Sequence, residues 1–295
     1  MNFTTKFIAS FILGKLPCSI LLYNATQKYL TGRWHRNVAR IMATPNNYTI
    51  HIDTFRKHWG DLKHANYFEF GVARDLFSNL FNYCCGMEKQ LAIDLKPLAT
   101  RELVDDTRGQ LCACPSSYIT RKPALELGRD FKADLATHYG IDYQAPADAR
   151  HVQRPSGTFD LIASTSTFEH IPHDALREIL AESYRLCHEG SIMSHEIDYS
   201  DHYSHTDKSL TPYNFLRFSD RDWERLHMRH YYQNRLRHND IRQLIQDAGF
   251  TIIEEKTTIP DDAALLLSGL TVHEQFRSIS KSDLLATKGY FVAKK

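Results

Sequence analysis

The sequence predicts an α/β protein built on a central, mainly parallel sheet with helices on both faces. Three observations carry this. Short apolar runs of strand length recur at residues 67–70, 91–93 and 159–164, and the first two lead into polar or acidic tips. Amphipathic stretches at helical spacing alternate with later strand-like runs, as sequential strand and helix units require. The 295 residues are 42% hydrophobic and 24% charged, enough apolar content for one large core and too much for a disordered chain.

Taken in order, residues 7–13 and 20–23 are apolar but are separated by Lys15 and Pro17. Neither run approaches the roughly 20 apolar residues of a membrane span, and no small-residue cleavage site follows as in a secretory signal. Residues 1–60 are therefore expected to form a helical extension packed on the core, ahead of a main domain over 61–295. Arg33, Arg36 and Arg40 at helical spacing leave a weak peripheral membrane contact as the alternative.

Residues 67–75, Tyr-Phe-Glu-Phe-Gly-Val-Ala-Arg-Asp, read as a strand, a tight turn and a helix start. Glycine at such a turn lets a ligand approach the backbone at the carboxyl end of a parallel strand. Residues 91–94 form a second strand ending in Asp94, 145–150 a loop carrying Asp148, and 159–164 a strand running into Thr165, Glu169 and His170. Acids at successive strand tips suggest a nucleoside cofactor. Residues 174–187 place Leu176, Ile179, Leu180, Tyr184 and Cys187 on one helical face, with Gly190 expected to stop the helix. Residues 191–194 open the next strand. Asn239 is expected to cap a helix through Ala248 that ends at Gly249, followed by strands at 250–255 and 288–293. There are no internal repeats.

This order of motifs resembles the class I S-adenosylmethionine-dependent methyltransferases, specifically the broad bacterial type 11 domains, over residue 67 to the C-terminus. The chain departs from the family pattern at Ala73, where a second glycine of the loop is usual. The resemblance implies a Rossmann-like methyltransferase fold with a seven-stranded sheet whose last strand is antiparallel. It places Glu69, Gly71, Ala73 and Asp75 by the methionine moiety, Asp94 on the ribose hydroxyls, Asp148 and Ala149 at the adenine edge, and Ser164 and Thr165 along the cofactor by backbone contacts. It also puts His170 beside the transferred methyl, as an orienting group or a base.

Asp75 supports the same choice on its own chemistry. A carboxylate at the first turn of the loop's helix repels the pyrophosphate of a dinucleotide but is compatible with a sulfonium and an ammonium; Asp75 is also an ordinary N-cap residue.

Residues 195–240 are too long for a simple connection, and a substrate-lid insertion is expected at about 198–238. The segment carries His195, Glu196, Asp198, Asp201, His202, His205 and Asp207. His202 paired with Asp198 or Asp201 is the expected general base for an acceptor hydroxyl or amine; solvated loop residues are the competing reading. No metal is expected, because the spacing matches no motif with a known mechanism. Arg217, Arg221, Arg225, Arg229, Arg235 and Arg237, interleaved with Trp223, Tyr231 and Tyr232, suit an anionic glycan or nucleotide-sugar; a wet helix face would use arginines the same way.

A net charge of +1 argues against a nucleic-acid partner. The six cysteines lack paired CxxC spacing and read as reduced thiols of a cytoplasmic protein. An NAD-dependent oxidoreductase and a catalytically silent methyltransferase-like scaffold are the rival readings. The acceptor and the oligomeric state are not legible in the sequence.

Overall fold

The computed structural model describes residues 28, 34–43, 47–205, 207–226 and 232–295. The apolar runs at 7–13 and 20–23, together with Arg33, Arg229 and Tyr231, lie outside the described residues.

Among the described residues, seven strands form one sheet: β1 (Asn66–Phe70), β2 (Lys89–Ile93), β3 (Ile141–Gln144), β4 (Phe159–Thr165), β5 (Cys187–Asp198), β6 (Thr251–Thr258) and β7 (Lys288–Lys294). Their spatial order is β3-β2-β1-β4-β5-β7-β6. β1 to β5 pair in parallel, and β7 runs antiparallel to both of its neighbours. The expected sheet and its antiparallel last strand are both present. The chain steps outward from β1 to β3 and then returns to β4 on the other side of β1. That reversal opens a crevice at the carboxyl ends of β1 and β4, where ligands of such sheets bind.

Helices cover both faces, as the alternation predicts. α1 (Val38–Met42), α2 (Asn47–His58), α3 (Phe77–Cys84), α4 (Arg101–Ala113) and α5 (Phe131–Tyr139) enclose one core with Tyr67, Ala92, Leu161, Ile192 and Val292. α6 (His173–Leu186) and α8 (His238–Asp247) enclose the other with Phe68, Phe70, Ile93, Ile162 and Met193. Because successive strand residues point to opposite faces, β1 feeds both cores and is buried from Tyr67 to Phe70, as a central parallel strand is.

Two helix limits differ from the sequence reading. α6 ends at Leu186 and passes directly into β5, so Gly190 does not stop it. Gly190 instead has φ +92° within the irregular start of β5, where the register against β4 slips. At α8 the amide of Arg237 donates to Asp240 Oδ2 at 2.8 Å and that of His238 to Asp283 Oδ1, also at 2.8 Å. Asn239 therefore lies inside the helix, and the orphan amides are satisfied by one acid of the first turn and one from a distant segment.

The expected lid is half of a larger unit. Tyr203, Tyr213, Phe215, Leu216 and Trp223 share a third core with Ala263, Phe276, Leu284 and Leu285, so the β5–α8 insertion packs against the β6–β7 connection. The insertion contains α7 (Asp220–Leu226); the connection contains α9 (Ala263–Ser268) and α10 (Lys281–Leu285). Arg237 is fully buried between them and donates to the carbonyls of Tyr199, Asp283, Leu284 and Ala286.

Candidate functional site

The site is built from the ends of β1, β2, β3, β4 and β5. At the β1 tip, Gly71 has φ +74° and donates its amide to the Ile93 carbonyl at 3.0 Å. A Cβ at this position would collide with the Thr167 side chain, which explains the glycine. Two residues on, Ala73 has φ +59°, a left-handed conformation that favours glycine, and Leu76 repeats it at φ +49°. The loop thus keeps the glycine-type path at position 73 with an alanine.

The β2 tip is joined to this loop. Asp94 Oδ2 accepts from the Ala73 amide at 3.1 Å, and Oδ1 accepts from the Lys96 amide at 3.0 Å. Burial pushes the Asp94 carboxyl up, against the lowering effect of those amides. The loop after β3 closes on the same point, with Ala147 N donating to the Asp94 carbonyl at 2.9 Å.

Other acids at the tips are engaged inside the protein. Glu69 lies on the same face of β1 as Tyr67, beneath α3, where its oxygens accept from Ser78 Oγ, Asn79 Nδ2 at 3.1 Å and Tyr67 OH at 3.0 Å. Burial raises its carboxyl to about 7. Asp75 is sealed by Arg36, which also donates to Tyr48 OH at 2.9 Å. Strand alternation and this ion pair remove both carboxylates from the cofactor roles expected for them. The same pair engages the Arg36 guanidinium within the protein. Asp148 is paired with Arg150, whose Nη2 lies 2.6 Å from Oδ2 and which holds the carboxyl below its usual range; Ala149 packs beside it against the second core.

At the β4 tip the Ser164 and Thr165 side chains face histidines. Ser164 Oγ lies 2.7 Å from His195 Nδ1, and Thr165 Oγ1 lies 3.2 Å from His51 Nε2. The His51 ring continues through Ser194 Oγ at 2.6 Å to Tyr290 OH and Thr54. Burial lowers His51 to about 3 and His195 well below the usual range, so both are neutral. His195 and Asp201, the latter bonded to Asn214 and the Tyr203 amide, serve the framework.

The three candidate catalytic residues converge. The 3-10 turn Phe168–His170 follows β4, and the segment from Asp198 to His205 follows β5, its parallel neighbour. The rings of His170 and His202 are 4.9 Å apart between centroids, as are those of His202 and His205. Asp198 Oδ2 lies 3.6 Å from His202 Nε2 and 3.5 Å from His205 Nε2. Burial works against the Asp198 charge, but His202 and Ser200 prevail and hold its carboxyl down at about 2. His170 Nδ1 is 2.8 Å from the Tyr232 carbonyl. Glu169 is buried beneath this group, and neither of its carboxylate oxygens makes a hydrogen bond of normal geometry.

Glu169 and His205 stand out in the sequence as part of acid- and histidine-rich motifs, but nothing in the sequence assigns either a role of its own. The spacing of Asp198, His202 and His205 was a signal; their meeting with residues 169 and 170 depends on β4 and β5 being neighbours, which spacing does not encode. The arginine cluster changes meaning as well. Arg237 and Arg235 are structural: Arg235 donates to the Phe215 and Phe218 carbonyls, pairs with Asp220 and stacks near Trp223 and Phe276. Arg217, Arg221 and Arg225 remain exposed.

The family described as "Methyltransferase domain" matches residues 27–255. No curated protein matches the chain. Among solved structures, a Galdieria sulphuraria protein described as a sarcosine dimethylglycine methyltransferase is 14% identical, with TM-score 0.50 and 84% of each chain covered. An S-adenosylmethionine-dependent methyltransferase of Methanosarcina mazei is 10% identical with TM-score 0.46, covering 79% of this chain and 93% of its own. Haemonchus contortus phosphoethanolamine N-methyltransferase 2, solved with S-adenosyl-L-methionine, is 14% identical with TM-score 0.48, covering 85% of this chain and 53% of its own.

Proposed function

The chain belongs to the methyltransferase-domain family and is an S-adenosylmethionine-dependent methyltransferase, and from that premise we propose that it methylates a hydroxyl or amine of a small molecule or glycan held over Glu169, His170, Asp198 and His202. The convergence of these side chains beside the β1/β4 crevice is the observation that carries the reading.

The residues present fit the cofactor. Asp94 offers a partly exposed carboxylate at the β2 tip, suited to a ribose diol, and the left-handed turn at Gly71 and Ala73 leaves backbone rather than side chain facing the crevice. In this reading Asp148 and Ala149, with Ser164 and Thr165 at the β4 tip, would offer their backbones to the cofactor, since the side chains of Asp148, Ser164 and Thr165 are engaged elsewhere. When bound, the cofactor supplies a methyl carbon made electrophilic by a sulfonium. The chain's own contribution is alignment of the acceptor, exclusion of water by the lid, and removal of the acceptor's proton by the histidine cluster.

The exposed Arg217, Arg221 and Arg225 leave an anionic sugar within the proposed acceptor class, with less support than six arginines gave. Transfer of a labelled methyl group to panels of neutral glycans, anionic glycans and small amines tests the reading. His202→Asn is expected to slow turnover by about 10²- to 10⁴-fold, the range for loss of a proton-transfer group. Full activity in that variant, or no transfer to any panel by the wild type, would sink it.

A further inference from the structure

The residues beneath the proposed acceptor site are arranged for something the sequence spacing did not suggest. Each of Glu169, His170 and His202 offers one ligand atom, and these atoms lie within 4.8 Å of one another. Asp198, His202 and His205 form a second such group that shares His202. We propose that Glu169, His170 and His202 bind one divalent first-row transition ion, with Asp198 and His205 grouped around the same histidine.

Several observations of different kinds point there. Glu169 is only 2% exposed, and neither of its oxygens makes a hydrogen bond of normal geometry, the backbone amides of Glu169 and Asp198 being the nearest donors. A carboxyl group in that state is costly whether ionised or protonated, since even the neutral acid needs partners for its O–H and its lone pairs. His202 Nε2 is buried too, and its contact with Asp198 Oδ2, at 3.6 Å, is longer than a hydrogen bond. His170 has its Nδ1 on the Tyr232 carbonyl, which leaves its other nitrogen for a ligand. That is how metal-bound imidazoles are ordinarily fixed, with one ring nitrogen on a carbonyl and the other on the ion.

The charge balance agrees. Asp198 and Glu196 both lie close enough to Glu169 to disfavour its ionisation. A dication would add to the compensation that His202 gives Asp198 and Lys288 gives Glu196, and would supply the one that Glu169 lacks. The donor set also selects the class of ion: imidazole with carboxylate suits zinc, manganese, iron or cobalt, whereas magnesium and calcium prefer all-oxygen shells. Bonds of about 2.0–2.2 Å require the ligand atoms to draw somewhat closer together, a movement that side-chain rotation supplies.

The consequence for the reaction rests on the proposed function. An acceptor oxygen entering an open coordination position would be held in place and made more acidic by the ion. His202 would then serve as a ligand, and the more acidic acceptor would give its proton to the exposed His205 of the same cluster or to solvent.

The test uses the full chain, stripped with a chelator and titrated calorimetrically with Zn²⁺ and with Mn²⁺ alone, while Co²⁺ absorption reports imidazole ligation. Glu169→Gln, His170→Gln and His202→Gln are compared, each also titrated with S-adenosylhomocysteine. The proposal expects one ion per wild-type chain and an affinity at least about tenfold weaker in each variant, with S-adenosylhomocysteine binding retained. His170 is exposed, so its variant decides the matter even where loss of Glu169 prevents folding. No stoichiometric ion in the wild type, or equal affinity in His170→Gln, overturns the site. Loss of S-adenosylhomocysteine binding by the wild type while the ion still binds would overturn the methyltransferase reading and leave the metal site standing.

Discussion

Arg36 and Asp75 form a closed pair, with Arg36 Nη2 3.1 Å from Asp75 Oδ1 and Nε on the other oxygen. Asp75 belongs to the turn after β1, and Arg36 to the segment that precedes α1. The pair fastens the segment before α1 to the loop after β1. Arg36→Ala leaves a buried carboxylate without its partner and is expected to cost about 3 kcal/mol, the lower end of the range for breaking a buried pair. Asp75→Asn in the same chain should recover much of that loss. Urea unfolding of the single and double variants measures both, and equal losses in the two would contradict the pairing.

The alanine in the left-handed conformation gives a second expectation. A non-glycine residue there carries about 1–2 kcal/mol of strain, partly offset by the entropy glycine loses on folding. Ala73→Gly should therefore leave stability unchanged or raise it by up to about 1 kcal/mol, whereas the same change within a regular helix or strand costs about 0.5–1 kcal/mol. Thermal unfolding decides this. A clear loss of stability would mean that the backbone at residue 73 is not left-handed.

Much of the fold was legible because periodicity and turn chemistry are local. The strands at 67–70, 159–164 and 288–293 and the helix over 174–187 follow from spacing alone. β3 was missed because four residues give too short an alternation to stand out, and α4 because two of its five core-facing positions, Thr107 and Arg108, are polar and break the apolar stripe. At the site, the loop glycine and Asp94 were readable as motifs. The fates of Glu69, Asp75 and Asp148 were not, since each is set by a partner: Ser78 across the β1–α3 turn, Arg36 far upstream, and Arg150 in its own turn. Arg235 and Arg237 misled in the same way, because composition does not distinguish an arginine that binds carbonyls in a core from one that awaits an anion.

Two buried groups give the protein an opposed response to pH. Burial raises Glu69 from 4.5 to about 7, so its contribution is present below pH 4.5 and is lost as pH rises through 7. Burial lowers His51 from 6.5 to about 3, so its contribution is present above pH 6.5 and is lost as pH falls towards 3. Between these limits the two slopes oppose; below pH 4.5 the histidine acts alone and stability falls. Glu69→Gln removes only the first slope. The difference in Tm between wild type and Glu69→Gln should then shrink from pH 5 to pH 7.5, and a constant difference would show that Glu69 titrates as an ordinary acid.

The central claim, that the crevice at the β1 and β2 tips holds S-adenosylmethionine through Asp94, is tested most directly by calorimetric titration of the wild type and Asp94→Ala with S-adenosylhomocysteine, using NAD as the control ligand. Hydrogen bonds to a charged group contribute about 1.5–3 kcal/mol. The account therefore predicts binding of S-adenosylhomocysteine and not NAD by the wild type, with affinity at least about tenfold weaker in Asp94→Ala. Unchanged affinity in Asp94→Ala, or binding of NAD in its place, would contradict it.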